Sequence, residues 1–252
     1  MECLQQLLEA LEPVVVAAAG DFSQSYEGFS TDTRTVKAGN VFVALSGERF
    51  DGHDFVVGAA EAGAVCAIVE RKVDAAITQI VVTDSGLAFG LAAKAWRGRF
   101  ALPLAVVAGS NGKTTTKELV GRVLSRKFRT AVTQGNLNNH IGVPLTLLAM
   151  TRDTEFGVVE MGASACGELA LLASVAEPNY GILTNIGLAH LEGFGGPEGV
   201  RRGKGELFDF LAANGGHAFV PADDEILKCM AAERDSLVAE YYPVSLADGM
   251  EN

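Results

Sequence analysis

The run Leu104-Ala105-Val106-Val107-Ala108-Gly109-Ser110-Asn111-Gly112-Lys113-Thr114-Thr115-Thr116 carries three signals in a fixed order. Its five apolar residues predict a strand buried on both faces. A glycine-containing turn follows, after which Leu119, Val120, Val123 and Leu124 recur at helical spacing. Strand, glycine turn and helix together form the setting in which Gly-Lys-Thr reads as a phosphate-binding loop. Gly109 and Gly112 let backbone N–H groups turn toward an anion, and the helix N-terminus adds its positive end. On this reading Ser110, Asn111 and Thr115 complete the loop, Lys113 reaches the β and γ phosphates of ATP, and the Thr114 hydroxyl ligates Mg2+. One position departs from the G-x-x-x-x-G-K-[ST] pattern: Val107 stands where its first glycine belongs.

Working outward, strand and helix periods alternate in both directions. Upstream, the spacing predicts a helix over 2–12 ending at Pro13, strands over 41–45, 65–69 and 80–83, and helices over 54–62 and 86–99. Asp54 is the expected cap of the helix over 54–62, and Gly63 its stop. Downstream, helices over 113–126, 143–150, 167–175 and 198–213 separate strands over 104–108, 129–133, 156–161, 180–184 and 217–220. Such alternation predicts an α/β fold with mostly parallel sheets. Pro103 marks the break between a small N-terminal α/β domain over 1–100 and a P-loop domain over 101–252.

The 252 residues suit two domains, and 48% hydrophobic with 20% charged residues allows real cores. A net charge of −11 argues against generic attraction to nucleic acid or anionic membrane. Any phosphate bound here must be held by local groups. Cys3, Cys66, Cys166 and Cys229 are scattered without metal spacing, as reduced thiols in a cytoplasmic protein. The apolar stretch over 14–19 is too short for a membrane span.

In parallel sheets, ligands gather at the carboxyl ends of strands. Glu160 ends one predicted strand and can hold magnesium directly or through water. His190 follows another and is a second candidate metal ligand. Arg201, Arg202 and Lys204 open a helix as a cation cluster that can offset phosphate charge, although the two arginines read first as a solvated face. Asn136, Asn138 and Asn139 precede a proline-started helix, either as caps or as groups that bind a substrate peptide.

Taken together, these stretches resemble the Mur ligase family. The resemblance rests on Thr31-Asp32-Thr33-Arg34, Gly47-Glu48-Arg49-Phe50-Asp51-Gly52-His53-Asp54-Phe55 and Gly109–Thr116. It continues through Asn136–Thr146, Glu160-Met161-Gly162-Ala163, Ala189–Gly195 and Lys204-Gly205-Glu206-Leu207. The E-M-G-A and A-H-L-E-G-F-G forms point to the member that adds D-Ala-D-Ala to UDP-N-acetylmuramoyl-tripeptide, rather than the one that adds the third stem residue. The resemblance implies that Ser30, Thr31, Asp32, Thr33, Arg34, Gly47, Asp51 and His53 hold the UDP end of that substrate, and that Asn138 and Asn139 serve its peptide side. It also implies that Lys113, Glu160, His190 and Lys204 are catalytic, with Thr114, Glu160, His190 and a carbamylated Lys204 around two metal ions.

The resemblance further implies a third, C-terminal domain that binds the amine substrate, so a chain ending at Asn252 reads as an incomplete portion that ligates poorly alone. The expected partners are the two small-molecule substrates, with no nucleic acid, no membrane insertion and a monomeric state. A non-catalytic nucleotide-binding module is the competing class. The joint presence of Glu160, His190 and Lys204 weighs against it, and the absence of an N-K-x-D stretch weighs against a GTPase.

Overall fold

The computed structural model describes residues 2–47, 50–187 and 190–243, and the chain divides into two compact units, Met1–Gly98 and Arg99–Asn252. Both are α/β units with mostly parallel sheets, as the alternating periods predict.

In the first unit a five-stranded sheet runs in the order Val15–Ala19, Thr78–Val82, Cys66–Val69, Asn40–Val43, Gly28–Ser30. Of its inner strands, Cys66–Val69 is apolar and buried along its length, and Asn40–Val43 is buried throughout with Asn40 its one polar residue. Two local expectations are corrected, the first helix and the Asp54 cap, and strands are added to those predicted. The apolar stretch over 14–19 supplies an edge strand that pairs antiparallel with Thr78–Val82. The first helix is shorter than expected, Leu4–Ala10, because Glu2 and Cys3 pair with Tyr26 and Ser25. Gly28–Ser30 is a strand that sequence periodicity passed over, being only three residues long. The cap expected at Asp54 is supplied by Asp51, whose carboxylate accepts the His53 N–H and opens a 3-10 turn ahead of the Val56–Glu61 helix.

The second unit holds a six-stranded sheet in the order Thr130–Val132, Phe156–Glu160, Leu104–Ala108, Tyr180–Leu183, His217–Pro221, Val238–Tyr242. Every neighbouring pair in it is parallel. The strand Val238–Tyr242 and the four-residue helix Leu191–Phe194 add to the predicted elements. Leu104–Ala108 is wholly buried between Phe156–Glu160 and Tyr180–Leu183. The loops after all three strands therefore emerge side by side at one sheet edge, the place where open α/β sheets bind ligands. Among the described residues no helix is long and apolar enough to cross a membrane.

Candidate functional site

The turn after Leu104–Ala108 is shaped by two glycines. Gly109 has φ +131°, and a Cβ there would lie 2.2 Å from Thr184 Oγ1. Gly112 has φ +76° and precedes the Lys113–Leu124 helix in a left-handed conformation. Val107, the departure from the motif, lies inside the buried strand opposite Glu160 and Ile182. The bend therefore needs no glycine there, because Gly109 makes it two residues later. Neighbouring loop residues brace the turn. Thr184 Oγ1 donates to the Asn111 carbonyl at 2.6 Å, Asn111 N–H donates to Asn185 Oδ1 at 3.1 Å, and Gly187 N–H donates to Ser110 Oγ at 2.8 Å.

Lys113 folds over this loop, its ammonium donating to the carbonyls of Gly109 and Ser110, each at 3.0 Å. It lines a cavity of about 580 Å3 together with Gly109, Ser110, Asn138, Asn139, His190 and Lys204. Thr114 and Thr115 stand on the exposed first turn of the helix and are not among the lining residues.

Glu160 ends its strand almost fully buried. Its Oε1 accepts the Asn138 carboxamide at 2.8 Å, and its backbone N–H donates to Thr133 Oγ1 at 2.9 Å. Its Oε2 is buried with no hydrogen-bond partner among the described residues. An acceptor-only oxygen without a donor suits a divalent cation. Among the described residues, however, no three His, Cys, Asp or Glu side chains form a ready-made metal cluster. A cation here would complete its shell with hydroxyl, phosphate or water oxygens, as magnesium does.

His190 caps the Leu191–Phe194 helix at φ +58°, a left-handed conformation seldom taken by residues other than glycine. It is exposed on the cavity rim. Lys204 is buried on the Pro197–Ala213 helix, with Nζ donating to the Ala163 carbonyl at 2.9 Å and 5.2 Å from the Phe194 ring centre. Burial, and next the positive charge of Lys113, push the Lys204 ammonium down to about 8. Arg201 and Arg202 do not join the cavity lining: Arg201 pairs with Glu233, and Arg202 donates to Cys166 Sγ at 3.5 Å.

The two asparagines part company. Asn138 bridges to Glu160, while Asn139 Oδ1 accepts the N–H groups of Ile141 and Gly142 at 3.1 and 2.9 Å and so caps the following helix. The lining also includes Glu168, which sequence reasoning missed. Its carboxylate accepts the Ser164 N–H at 2.6 Å, and that of Glu206 accepts the Gly167 and Ala170 N–H groups. Protein carboxylates thus already occupy the start of the Glu168–Ala176 helix. Its short spacing from Ser164 was the available signal.

In the first unit, the predicted substrate residues form two local networks. Ser30 Oγ donates to the Asp32 carbonyl at 2.8 Å, and Thr31 and Thr33 stand half-buried beside it. The guanidinium of Arg34, and then its backbone N–H, hold the Asp32 carboxyl down at about 2. Gly47 pairs with Phe50 in a two-stranded ribbon, whose intervening Glu48 and Arg49 lie outside the described residues. Leu188 and Ala189, ahead of His190, lie outside them as well. Asp51 accepts from Arg71 at 2.7 Å and from His53 Nδ1 at 2.6 Å. His53 Nε2 accepts the Glu70 N–H at 2.8 Å, so Nδ1 carries the proton given to Asp51. Both ring nitrogens are engaged within the fold.

Comparison with known proteins bears on this geometry. The Mur ligase middle domain model matches residues 107–248, and that of the Mur ligase family, catalytic domain, matches residues 25–89. UDP-N-acetylmuramoyl-tripeptide--D-alanyl-D-alanine ligase of Escherichia coli (strain K12) is 46% identical over 191 residues, which cover 75% of this chain and 42% of the relative. The fold is similar to that of MurF from Acinetobacter baumannii, with a TM-score of 0.85 at 37% identity over 95% of this chain and 52% of that one. MurF ligase from Thermotoga maritima, solved in complex with ADP, gives a TM-score of 0.78 at 34% identity over 88% of this chain and 51% of that one. The chain spans about half the length of the relatives it matches.

Proposed function

Because this chain belongs to the Mur ligase family, we propose that it forms the substrate-gripping and phosphate-binding portion of an ATP-dependent, ADP-forming ligase that joins D-Ala-D-Ala to UDP-N-acetylmuramoyl-tripeptide. The observation that carries this reading is the convergence of Gly109, Lys113, Asn138, His190 and Lys204 on one cavity at the carboxyl edge of the sheet. A cytoplasmic location and a monomeric state go with it.

The ATP phosphates lie against the loop N–H groups and the helix N-terminus, and Lys113 exchanges the Gly109 and Ser110 carbonyls for phosphate oxygens. The tripeptide carboxylate attacks the γ phosphorus, ADP departs, and an acyl phosphate remains. The amine of D-Ala-D-Ala then attacks the acyl carbon, the amide bond forms as the C–O bond to phosphate breaks, and the proton lost by the nitrogen goes to the departing phosphate. Mg2+ held by Thr114, Glu160 and His190 would neutralise charge on the transferring oxygens, the main source of rate in phosphoryl transfer. Lys204, with its ammonium at about 8, has enough neutral amine near neutral pH to react with CO2. The ammonium first loses one proton to solvent; Nζ then bonds to the carbon as one C–O π bond opens, a second proton leaves, and the former cation becomes an anionic oxygen ligand. Asn138 orients Glu160, and Asn139 shapes the same rim. In the first unit, Ser30 to Arg34 with Gly47, Asp51 and His53 hold the UDP end, Asp51 and His53 by fixing the backbone around them.

Calorimetric titration of this chain with ADP, with and without Mg2+, and with UDP-N-acetylmuramoyl-tripeptide tests the reading. Both ligands are expected to bind, ADP more tightly with Mg2+. Absence of binding by either ligand would overturn it.

A further inference from the structure

Lys117 lies one turn beyond Lys113 on the Lys113–Leu124 helix, and its side chain is 0% exposed. Its ammonium donates to the Thr133 carbonyl at 2.8 Å, the Gly135 carbonyl at 3.2 Å and Glu118 Oε1 at 2.7 Å. Three acceptors match the three ammonium hydrogens. Close approach makes this reach possible: at Gly121, one turn further on, a Cβ would lie 2.8 Å from Val132 Cγ2. The helix therefore lies directly against the strand Thr130–Val132, and Lys117 extends past its end.

The clamped segment leads straight to the buried carboxylate. Thr133 Oγ1 accepts the Glu160 N–H at 2.9 Å. Three residues past Gly135, the Asn138 carboxamide donates to Glu160 Oε1 at 2.8 Å, while the Asn138 carbonyl accepts the Gly162 N–H at 2.7 Å. Glu160 is thus held at its backbone and at its carboxylate by two residues of one loop, and Lys117 ties that loop to the phosphate-loop helix. Packing alone does not call for an ammonium here. A methionine would fill similar volume without desolvating a charge, and a buried ion pair is weak evidence for stability. What the ammonium adds is direction, because its fixed donors hold two carbonyls of the same loop in register with the helix.

We propose that Lys117 is a positioning residue: by clamping the Thr133 and Gly135 carbonyls it sets where the Glu160 carboxylate stands relative to the phosphate loop. Its consequence for nucleotide binding rests on the function proposed above, whereas its structural half does not.

The test compares this chain with Lys117→Met, using two readouts. The first is native-state hydrogen exchange of the Glu160 and Gly162 amides, which is expected to accelerate about tenfold or more while amides of the His217–Pro221 strand stay within about twofold. Lys117→Gln, which keeps an N–H donor, is expected to recover part of the protection. The second is ADP affinity: the gain from Mg2+ is expected to fall about tenfold or more while metal-free affinity stays within about twofold, as for a group that orients a metal ligand. Unchanged exchange at Glu160 and Gly162, or an equal loss of protection across the unit, would overturn the inference. If the parent chain shows no gain from Mg2+, the proposed function fails instead, and the exchange readout alone decides the positioning role. If Lys117→Met does not fold, Lys117→Gln carries the comparison alone: faster exchange confined to the Glu160 and Gly162 amides supports the clamp, and unchanged exchange or a uniform loss of protection refutes it.

Discussion

The Asn138 carboxamide donates to Glu160 Oε1 across 2.8 Å, which fixes the carboxylate rotamer and leaves Oε2 buried without a hydrogen-bond partner among the described residues. Asn138 lies in the loop after the neighbouring strand Thr130–Val132, so this bond joins that loop to the last residue of Phe156–Glu160. Removing the donor with Asn138→Leu is expected to weaken the Mg2+-dependent part of ADP binding by about 10- to 100-fold. Calorimetry with and without the metal measures it, and an unchanged gain from Mg2+ would remove Glu160 from the metal site.

Glu160→Gln should separate function from stability. An unpaired buried carboxylate oxygen opposes folding, so the melting temperature is expected to hold or rise while the gain from Mg2+ disappears. A fall of several degrees would show that the carboxylate serves the fold instead.

Gly109→Ala and Gly112→Ala should behave differently although both glycines have positive φ. At Gly109 a Cβ meets Thr184 Oγ1 at 2.2 Å and the Thr184 nitrogen at 2.9 Å, whereas at Gly112 nothing lies within 4 Å. Backbone strain alone costs on the order of 1–3 kcal/mol. Gly112→Ala is expected to lose about that much by denaturant melts. Gly109→Ala should lose more and also fail to bind ADP, because the bend must open. Equal losses would mean that contact with Thr184 does not shape the loop.

The Lys204 ammonium, depressed to about 8 from its ordinary 10.5, has a definite signature in pH. Below about 8 the folded state carries the whole penalty of a buried charge. Between about 8 and 10.5 the unfolded chain binds the proton more tightly, so this group's contribution to stability improves as pH rises. The swing is of order 3 kcal/mol. Lys204→Met is expected to flatten the rise, as read from urea melts at pH 7.5 and 10. In 13C-bicarbonate, the parent chain should also show a carbamate carbon resonance that the variant lacks.

His53 joins Asp51 to the backbone of Glu70 from a fully buried position in the first unit. His53→Ala leaves a cavity and an unpaired N–H, and is expected to destabilise by about 3 kcal/mol. ADP binding by the second unit should be retained at temperatures where the variant is folded. A negligible change in melting would show that the ring is not what joins these segments.

The sequence alone determined the sheet class, the glycine turn between the strand Leu104–Ala108 and the helix Lys113–Leu124, and the strand end where Glu160 stands. Those features are written in short-range patterns: apolar runs, helical spacing, and glycines next to a lysine. It left other matters open. Lys117 reads as one more helix lysine until Gly121 brings the helix onto Val132, and Asn138 and Asn139 look alike until one bridges to Glu160 and the other caps a helix. The apolar stretch over 14–19 offers no clue that it pairs antiparallel at a sheet edge. Only the tertiary structure decided these points. Pairing between strands far apart in sequence follows from which faces the whole fold can bury together, and burial of a polar group is set by what packs over it, which no local window of sequence contains.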